Sequence, residues 1–212
     1  MIEIVKVDGK HLEVFLKGEG RTVVLQTGMG GSFDEWFEVA NALSKKCRVM
    51  MYHRPGYGNS NIYEGDKWTT SATVEEINAL LEYFGIEEPV IMAGHSYGGL
   101  CAQHFAMRYP EKVAGIVLID STSFDIHKLD ELDLPEMDKL NSDEMWMERC
   151  ERYSGMSPEE LGEEMKPELS DRQKSYPYVT QERLLEFPAN PALYRAVRGE
   201  MESWKECEKG ES

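Results

Sequence analysis

Basic residues are scarce in this sequence. Lys and Arg total 23 against 39 Asp and Glu, leaving a formal net charge of −16 and a pI near 4.8 over 212 residues. Phosphate binding needs a basic face, so no nucleic acid is expected as a partner, and the same shortage disfavours an anionic membrane surface. Cysteine is also scarce. Cys47, Cys101, Cys150 and Cys207 lie far apart without a C-x-x-C pair, which argues against a zinc site or a disulfide framework. No apolar run approaches the roughly 20 residues that span a bilayer. The opening Met-Ile-Glu-Ile-Val-Lys lacks the basic and apolar regions of a signal peptide. These absences together predict a protein of the reducing cytoplasm. Histidine, the commonest general base, occurs only five times, at His11, His53, His95, His104 and His127.

What is present suffices for a core. The hydrophobic fraction is 41%, that of a folded chain, and the length allows one sizeable core or a core with a small inserted domain. Charge is uneven: residues 1–120 carry a net of −5 and residues 121–212 a net of −11. The shift predicts a boundary near residue 121, with a first domain over 1–121 and a second over 122–212.

Residues 2–7 and 11–16 are β-rich runs separated by Asp8-Gly9-Lys10, which reads as a hairpin. Strands are then expected over Thr22–Gln26, Cys47–Tyr52, Pro89–Ala93 and Ala114–Ile119. Helices are expected between them over Ser32–Leu43, Ser71–Phe84 and Tyr97–Tyr109. Ser32 with Glu35 reads as a capping box for the first of these helices. Short, nearly all-apolar strands alternating with helices imply an α/β class: a mostly parallel sheet with an antiparallel start, covered by helices on both faces. Beyond residue 121 no strand pattern is evident. Ser157-Pro158 and Asn190-Pro191 start helices, and Leu193, Val197, Met201 and Trp204 share one apolar face.

The chemistry is concentrated in Gly94-His95-Ser96-Tyr97-Gly98, a G-x-S-x-G that runs from a strand into a helix. A nucleophile on so sharp a turn sits in a strained backbone, and its neighbours two residues away must be very small; here they are Gly94 and Gly98. The helix that follows points its N-terminus at the reacting carbonyl, making the Tyr97 N–H a donor for an oxyanion. The Gly-rich Gln26–Ser32 loop between a strand and a helix supplies a second donor, for which the Met29 N–H is the candidate. A phosphate loop is the rival reading of this segment. It lacks the lysine of the Walker A pattern and does not match G-x-G-x-x-G.

The TGMGGS loop, the RPGYGNS turn over Arg54–Ser60 and the GHSYGG elbow, in that order, resemble the α/β-hydrolase fold family, specifically its capped esterases, lipases and peptidases. The resemblance covers residues 1–120, and residues 122–212 are similar to the helical cap that such proteins insert after the sixth strand. It implies Ser96 as nucleophile, with Met29 and Tyr97 N–H groups as the oxyanion hole. A serine hydrolase of this kind would act on a small acyl substrate, and nothing in the sequence calls for a metal, nucleotide or flavin cofactor. Serine at the nucleophile position argues against dehalogenases and epoxide hydrolases, which use Asp. The sequence departs from the pattern where Thr27 replaces the usual His and His53 the usual Asp.

Family members place the acid after a seventh strand and the histidine after an eighth, and neither strand is found here. On the order of 60 residues, two βα units, are therefore expected to be missing. Among local substitutes, His53 ends a strand on the catalytic edge and His127 follows the sixth strand, so either is a candidate base. Asp120, at the end of the sixth strand, reads either as a catalytic acid or as a polar cap of the turn after Ile119. Three readings follow: a serine hydrolase with little turnover as this chain, a non-catalytic relative that binds an apolar ligand or a partner, or part of a longer enzyme. The open sheet edge after the sixth strand would also permit an oligomer.

Overall fold

The computed structural model describes residues 1–124 and 143–204. Six strands form one sheet: β1 (Ile2–Val7), β2 (Lys10–Lys17), β3 (Thr22–Gln26), β4 (Arg48–Tyr52), β5 (Val90–Ser96) and β6 (Val113–Ser121). Their order is β1-β2-β4-β3-β5-β6. β1, β2 and β4 pair antiparallel, while β4, β3, β5 and β6 run parallel. Asp8 and Gly9, both at positive φ, close the first hairpin.

Side chains alternate across the sheet, so successive residues serve different faces. Val24, Met50 and Met92 pack beneath α2 (Thr70–Tyr83) and α3 (Tyr97–Arg108), with Ile77, Leu80 and Phe105 filling that layer. Val23, Leu25, Val49, Met51 and Ala93 build the other face with Phe33 and Ala40. The expected first helix is divided. Phe33–Trp36 is a 3-10 turn, and α1 begins only at Phe37 and runs to Leu43. Ser32 caps the turn by accepting from Asp34 N–H, while the Phe33 N–H goes to His53, and these side-chain ties tighten the first turn. α2 begins one residue earlier than expected because Thr69 is the cap, accepting from Ala72 N–H.

The C-terminal helices are α4 (Asp143–Ser154), α5 (Pro158–Met165), α6 (Tyr178–Glu186) and α7 (Pro191–Ser203). Ser157 and Glu160 form a full capping box on α5, and Asn190 caps α7 through Ala192 N–H. These helices share a core of Cys150, Tyr153, Leu161, Phe187, Leu193, Tyr194 and Val197, into which Tyr57 of the strand-rich region projects. β6 is the outer strand at its end of the sheet, and its Val117 and Leu118 are each 49% exposed. No helix among the described residues is long and apolar enough to cross a membrane.

Candidate active site

Ser96 is the last residue of β5 and adopts φ 51°, ψ −124°, a region that L-residues avoid. Such strain persists only where the surroundings over-determine it. They do so here through close backbone approaches. A Cβ on Gly94 would lie 2.5 Å from Gly99 N, and closer still to the Gly98 carbonyl. A Cβ on Gly98 would lie 2.5 Å from Thr27 O. The elbow is therefore packed against both its own helix and the loop after β3. Gly28 of that loop abuts Ser96 itself, since a Cβ there would be 3.2 Å from the Ser96 Cβ. Ser96 is half-buried. Among the described residues, neither its Oγ nor the Met29 and Tyr97 N–H groups have a hydrogen-bond partner.

The loop is held from outside by three buried side chains. The Arg54 guanidinium donates from Nη1 to Thr27 O at 3.1 Å and from Nη2 to Gly28 O at 3.1 Å. Its Nε donates to Glu200 Oε1 at 2.5 Å, and Nη2 reaches Oε2 at 3.3 Å. Tyr57 donates its hydroxyl proton to Glu200 Oε2 at 2.5 Å and accepts from Gly30 N–H at 3.0 Å. Burial pushes the Glu200 carboxyl above its ordinary range, against the opposing pull of Arg54 and Tyr57. The guanidinium also lies 4.5 Å from the Tyr57 ring centroid and 5.2 Å from that of Tyr97. Beneath Tyr97, burial pushes the Cys101 thiol up to about 12, so it stays protonated and inert.

Met29 and Gly30 open onto a cavity of about 340 Å³, whose wall includes Trp146, Met165, Leu169, Leu184, Leu193 and Val197. Glu35 and Glu168 are its only carboxylates, and no Lys, Arg or His lines it among the described residues. A second cavity, about 400 Å³, shares Phe187 with it and is lined by Asp34, His53, Asn59, Arg183 and Asn190; neither lining includes a residue of the Gly94–Gly98 elbow, and only the first includes Met29 and Gly30.

The histidines lie elsewhere. His53 is 1% exposed and cannot serve Ser96, because both ring nitrogens are engaged. Nδ1 donates to Glu13 Oε2 at 2.7 Å, while Nε2 accepts from Phe33 N–H at 3.2 Å. The ring stacks on Phe33 at 3.8 Å between centroids. His104 is bonded to Thr70, and His11 to Tyr63. The exposed His95 ring flanks Gly28, where a Cβ would be 3.2 Å from its Nδ1. His127 lies outside the described residues. Asp120 does not end its strand, which continues to Ser121. It is the extra residue of a bulge, since His95 pairs with Ile119 and Ser96 with Ser121. It is exposed and adopts φ 41°.

Sequence reasoning missed Glu200, Arg54 and a second buried cluster in which Arg183 of α6 bonds Glu13 at 2.7 Å and Asp34 at 2.9 Å. A signal for Glu200 did exist: it falls on the helical stripe with Leu193 and Val197, and a carboxylate on an apolar stripe needs a buried partner.

The Glu13–His53 pair makes stability depend on pH. Burial drives the His53 pKa down despite the raising influence of Glu13, and the Phe33 N–H at Nε2 requires the neutral ring. Burial works to raise Glu13, but hydrogen bonds from His53, Arg183 and Asn59 overcome it and hold the carboxyl well below the usual range. Both folded-state values are depressed, so both contributions are present above the unfolded values and lost as pH falls. Stability should decline from about pH 6.5 downward by up to about 1.4 kcal/mol per pH unit, more steeply once Glu13 joins below about pH 4.3. Urea midpoints at pH 7.5, 6.0 and 5.0 measure this, and a His53→Gln variant should flatten the upper part of the slope. Equal midpoints at all three values would contradict it.

Comparison with known proteins bears on the fold and family. The sequence is similar over 108 residues, at 35% identity, to a pimeloyl-[acyl-carrier protein] methyl ester esterase of Vibrio cholerae, covering 50% of this chain and 39% of that one. It is 38% identical over 120 residues to the dihydrolipoyllysine-residue acetyltransferase component of an acetoin cleaving system from Pseudomonas putida, covering 55% and 31%. The chain thus matches less than half the length of these curated relatives. A thermophilic esterase from Thermogutta terrifontis shares the fold, with a TM-score of 0.64 at 22% identity over 94% of this chain and 72% of that one. Residues 21–151 match the family model described as alpha/beta hydrolase fold, and to that family the chain belongs.

Proposed function

We propose that the chain is the nucleophile-bearing part of a serine hydrolase that cleaves a carboxylic ester, thioester or small amide. The observation that carries this is Ser96 at φ 51°, held on a strand-to-helix elbow with Gly28 packed beside it and Met29 against the Tyr97 cluster. Ser96 Oγ attacks the acyl carbon and its proton passes to a base. Met29 and Tyr97 N–H stabilise the oxyanion that forms. Residues 1–121 serve as the catalytic core and residues 122–212 as a helical cap. The base comes from outside the described residues, and without one in reach Ser96 turns over slowly at best. The substrate is a small acyl compound rather than nucleic acid or a membrane surface. The apolar cavity beside Met29, with carboxylates as its only charges, suits an uncharged acyl group of about ten heavy atoms at roughly 30 Å³ each.

A fluorophosphonate probe on the purified chain tests this. Slow labelling that disappears in Ser96→Ala is expected, with no measurable hydrolysis of p-nitrophenyl butyrate. Labelling that persists in Ser96→Ala would sink the assignment. A folded sample that never labels would favour a second reading, a non-catalytic protein that holds an apolar ligand in the cavity beside Met29.

A further inference from the structure

Arg54, Tyr57 and Glu200 are buried, polar and unused by the chemistry proposed above. Their partners fall on consecutive peptide groups. Arg54 Nη1 takes Thr27 O, Arg54 Nη2 takes Gly28 O, and the Tyr57 hydroxyl takes Gly30 N–H. In a trans peptide the carbonyl and the following N–H belong to one plane and point in opposite directions. Holding Gly28 O therefore aims Met29 N–H. Holding Gly30 N–H fixes the plane on the other side of Met29. Both soft torsions of Met29 are set by these contacts, and its own N–H is left without an acceptor among the described residues.

Glu200 joins this arrangement to α7. It binds Arg54 and Tyr57 together, and α7 approaches the same region closely along its length. A Cβ on Gly56 would lie 2.8 Å from Ala192 O, and one on Gly199 would lie 2.5 Å from the Trp68 ring. The Trp68 carbonyl accepts from Ser203 Oγ at 2.5 Å. An Arg–Glu pair alone would suffice to dock a helix. It would not require the remaining donors of that Arg, and the acceptor side of a shared Tyr, to grip the two peptide planes around one residue.

We propose that Glu200, Arg54 and Tyr57 are positioning residues through which cap helix α7 sets the Met29 N–H, so that the oxyanion hole is complete only while α7 is docked. This rests on the assignment of Ser96 and Met29 above, and the experiment separates the two. Uniformly ¹⁵N-labelled protein, Tyr57→Phe and Glu200→Gln are compared by amide hydrogen exchange. Each is then treated with a dialkyl fluorophosphonate. In that reaction Ser96 Oγ bonds to phosphorus, fluoride leaves, the serine proton passes to solvent, and the phosphoryl oxygen occupies the oxyanion position. We expect exchange at Gly30 to rise at least tenfold in both variants, with β5 amides unchanged. In the adduct, the Met29 amide resonance should shift in the wild type and lose most of that shift in the variants, while the Tyr97 shift remains. General loosening would move both resonances. If the wild type does not label, the activation of Ser96 fails, and exchange at Gly30 still decides the proposal. Unchanged exchange there in Tyr57→Phe, the milder variant, overturns it.

Discussion

Replacing Arg54 with Ala should lower the unfolding free energy by about 3–5 kcal/mol, because it strands a buried carboxylate. Glu200 is 1% exposed and its other recorded donor is the Tyr57 hydroxyl. Thr27 O loses its side-chain donor in the same step, and Gly28 O keeps only the Gly31 N–H at 3.3 Å. Burial already pushes Glu200 toward its protonated form, and without the guanidinium it would take up a proton at higher pH still. The deficit should accordingly shrink as pH falls. Urea denaturation at pH 8 and pH 5.5 measures both quantities. Arg54→Lys should recover only part of the loss, since one ammonium cannot reproduce the planar fork across a carboxylate and two carbonyls. A loss below about 1 kcal/mol at pH 8 would mean that water or rearrangement satisfies Glu200.

Gly94→Ala is expected to be comparably damaging, about 3 kcal/mol or outright failure to fold, at the upper end for added core volume. The obstacle is backbone on every side: the Gly98 carbonyl and Gly99 N belong to the first turn of α3 and cannot rotate away. Relief would require β5 and α3 to separate, which would release Ser96 from its strained conformation. Gly115→Ala is the matched control, as nothing lies within 4 Å of a Cβ there. Circular dichroism melts of the two variants, run with fluorophosphonate labelling, should show loss of both fold stability and labelling for Gly94→Ala only. A stable Gly94→Ala protein would show that the elbow is looser than its contacts imply.

What could be read from the sequence was local. The elbow declares itself because Gly94 and Gly98 are demanded by contacts within a few residues of Ser96. The same holds for the Asn190-Pro191 start of α7 and for the Asp8-Gly9 hairpin, whose geometry is written into adjacent side chains. What escaped was joined across long separations. Arg54 and Glu200 are 146 residues apart, and Arg183 and Glu13 are 170 apart. His53 illustrates the failure well. Its place at the end of β4 suggested reach toward the catalytic edge. The deciding fact is a carboxylate on β2, Glu13, which faces it only once β2 and β4 pair. The bulge at Asp120 was hidden for a related reason. It arises from the register between β5 and β6, where the strained turn at Ser96 must be matched by an added residue opposite.

The outer strand β6 has a consequence for how these molecules treat one another. Its backbone edge, without a partner strand among the described residues, and exposed Ile116, Val117, Leu118 and Ile119 make the kind of surface on which strands add. At pH 7 a net charge of −16 on each molecule opposes such an encounter. That repulsion weakens with salt and vanishes near the pI of about 4.8, where the buried Glu13–His53 pair is also being lost. Colloidal and conformational stability therefore fail in the same pH interval, and each failure exposes more of the surface on which the other acts.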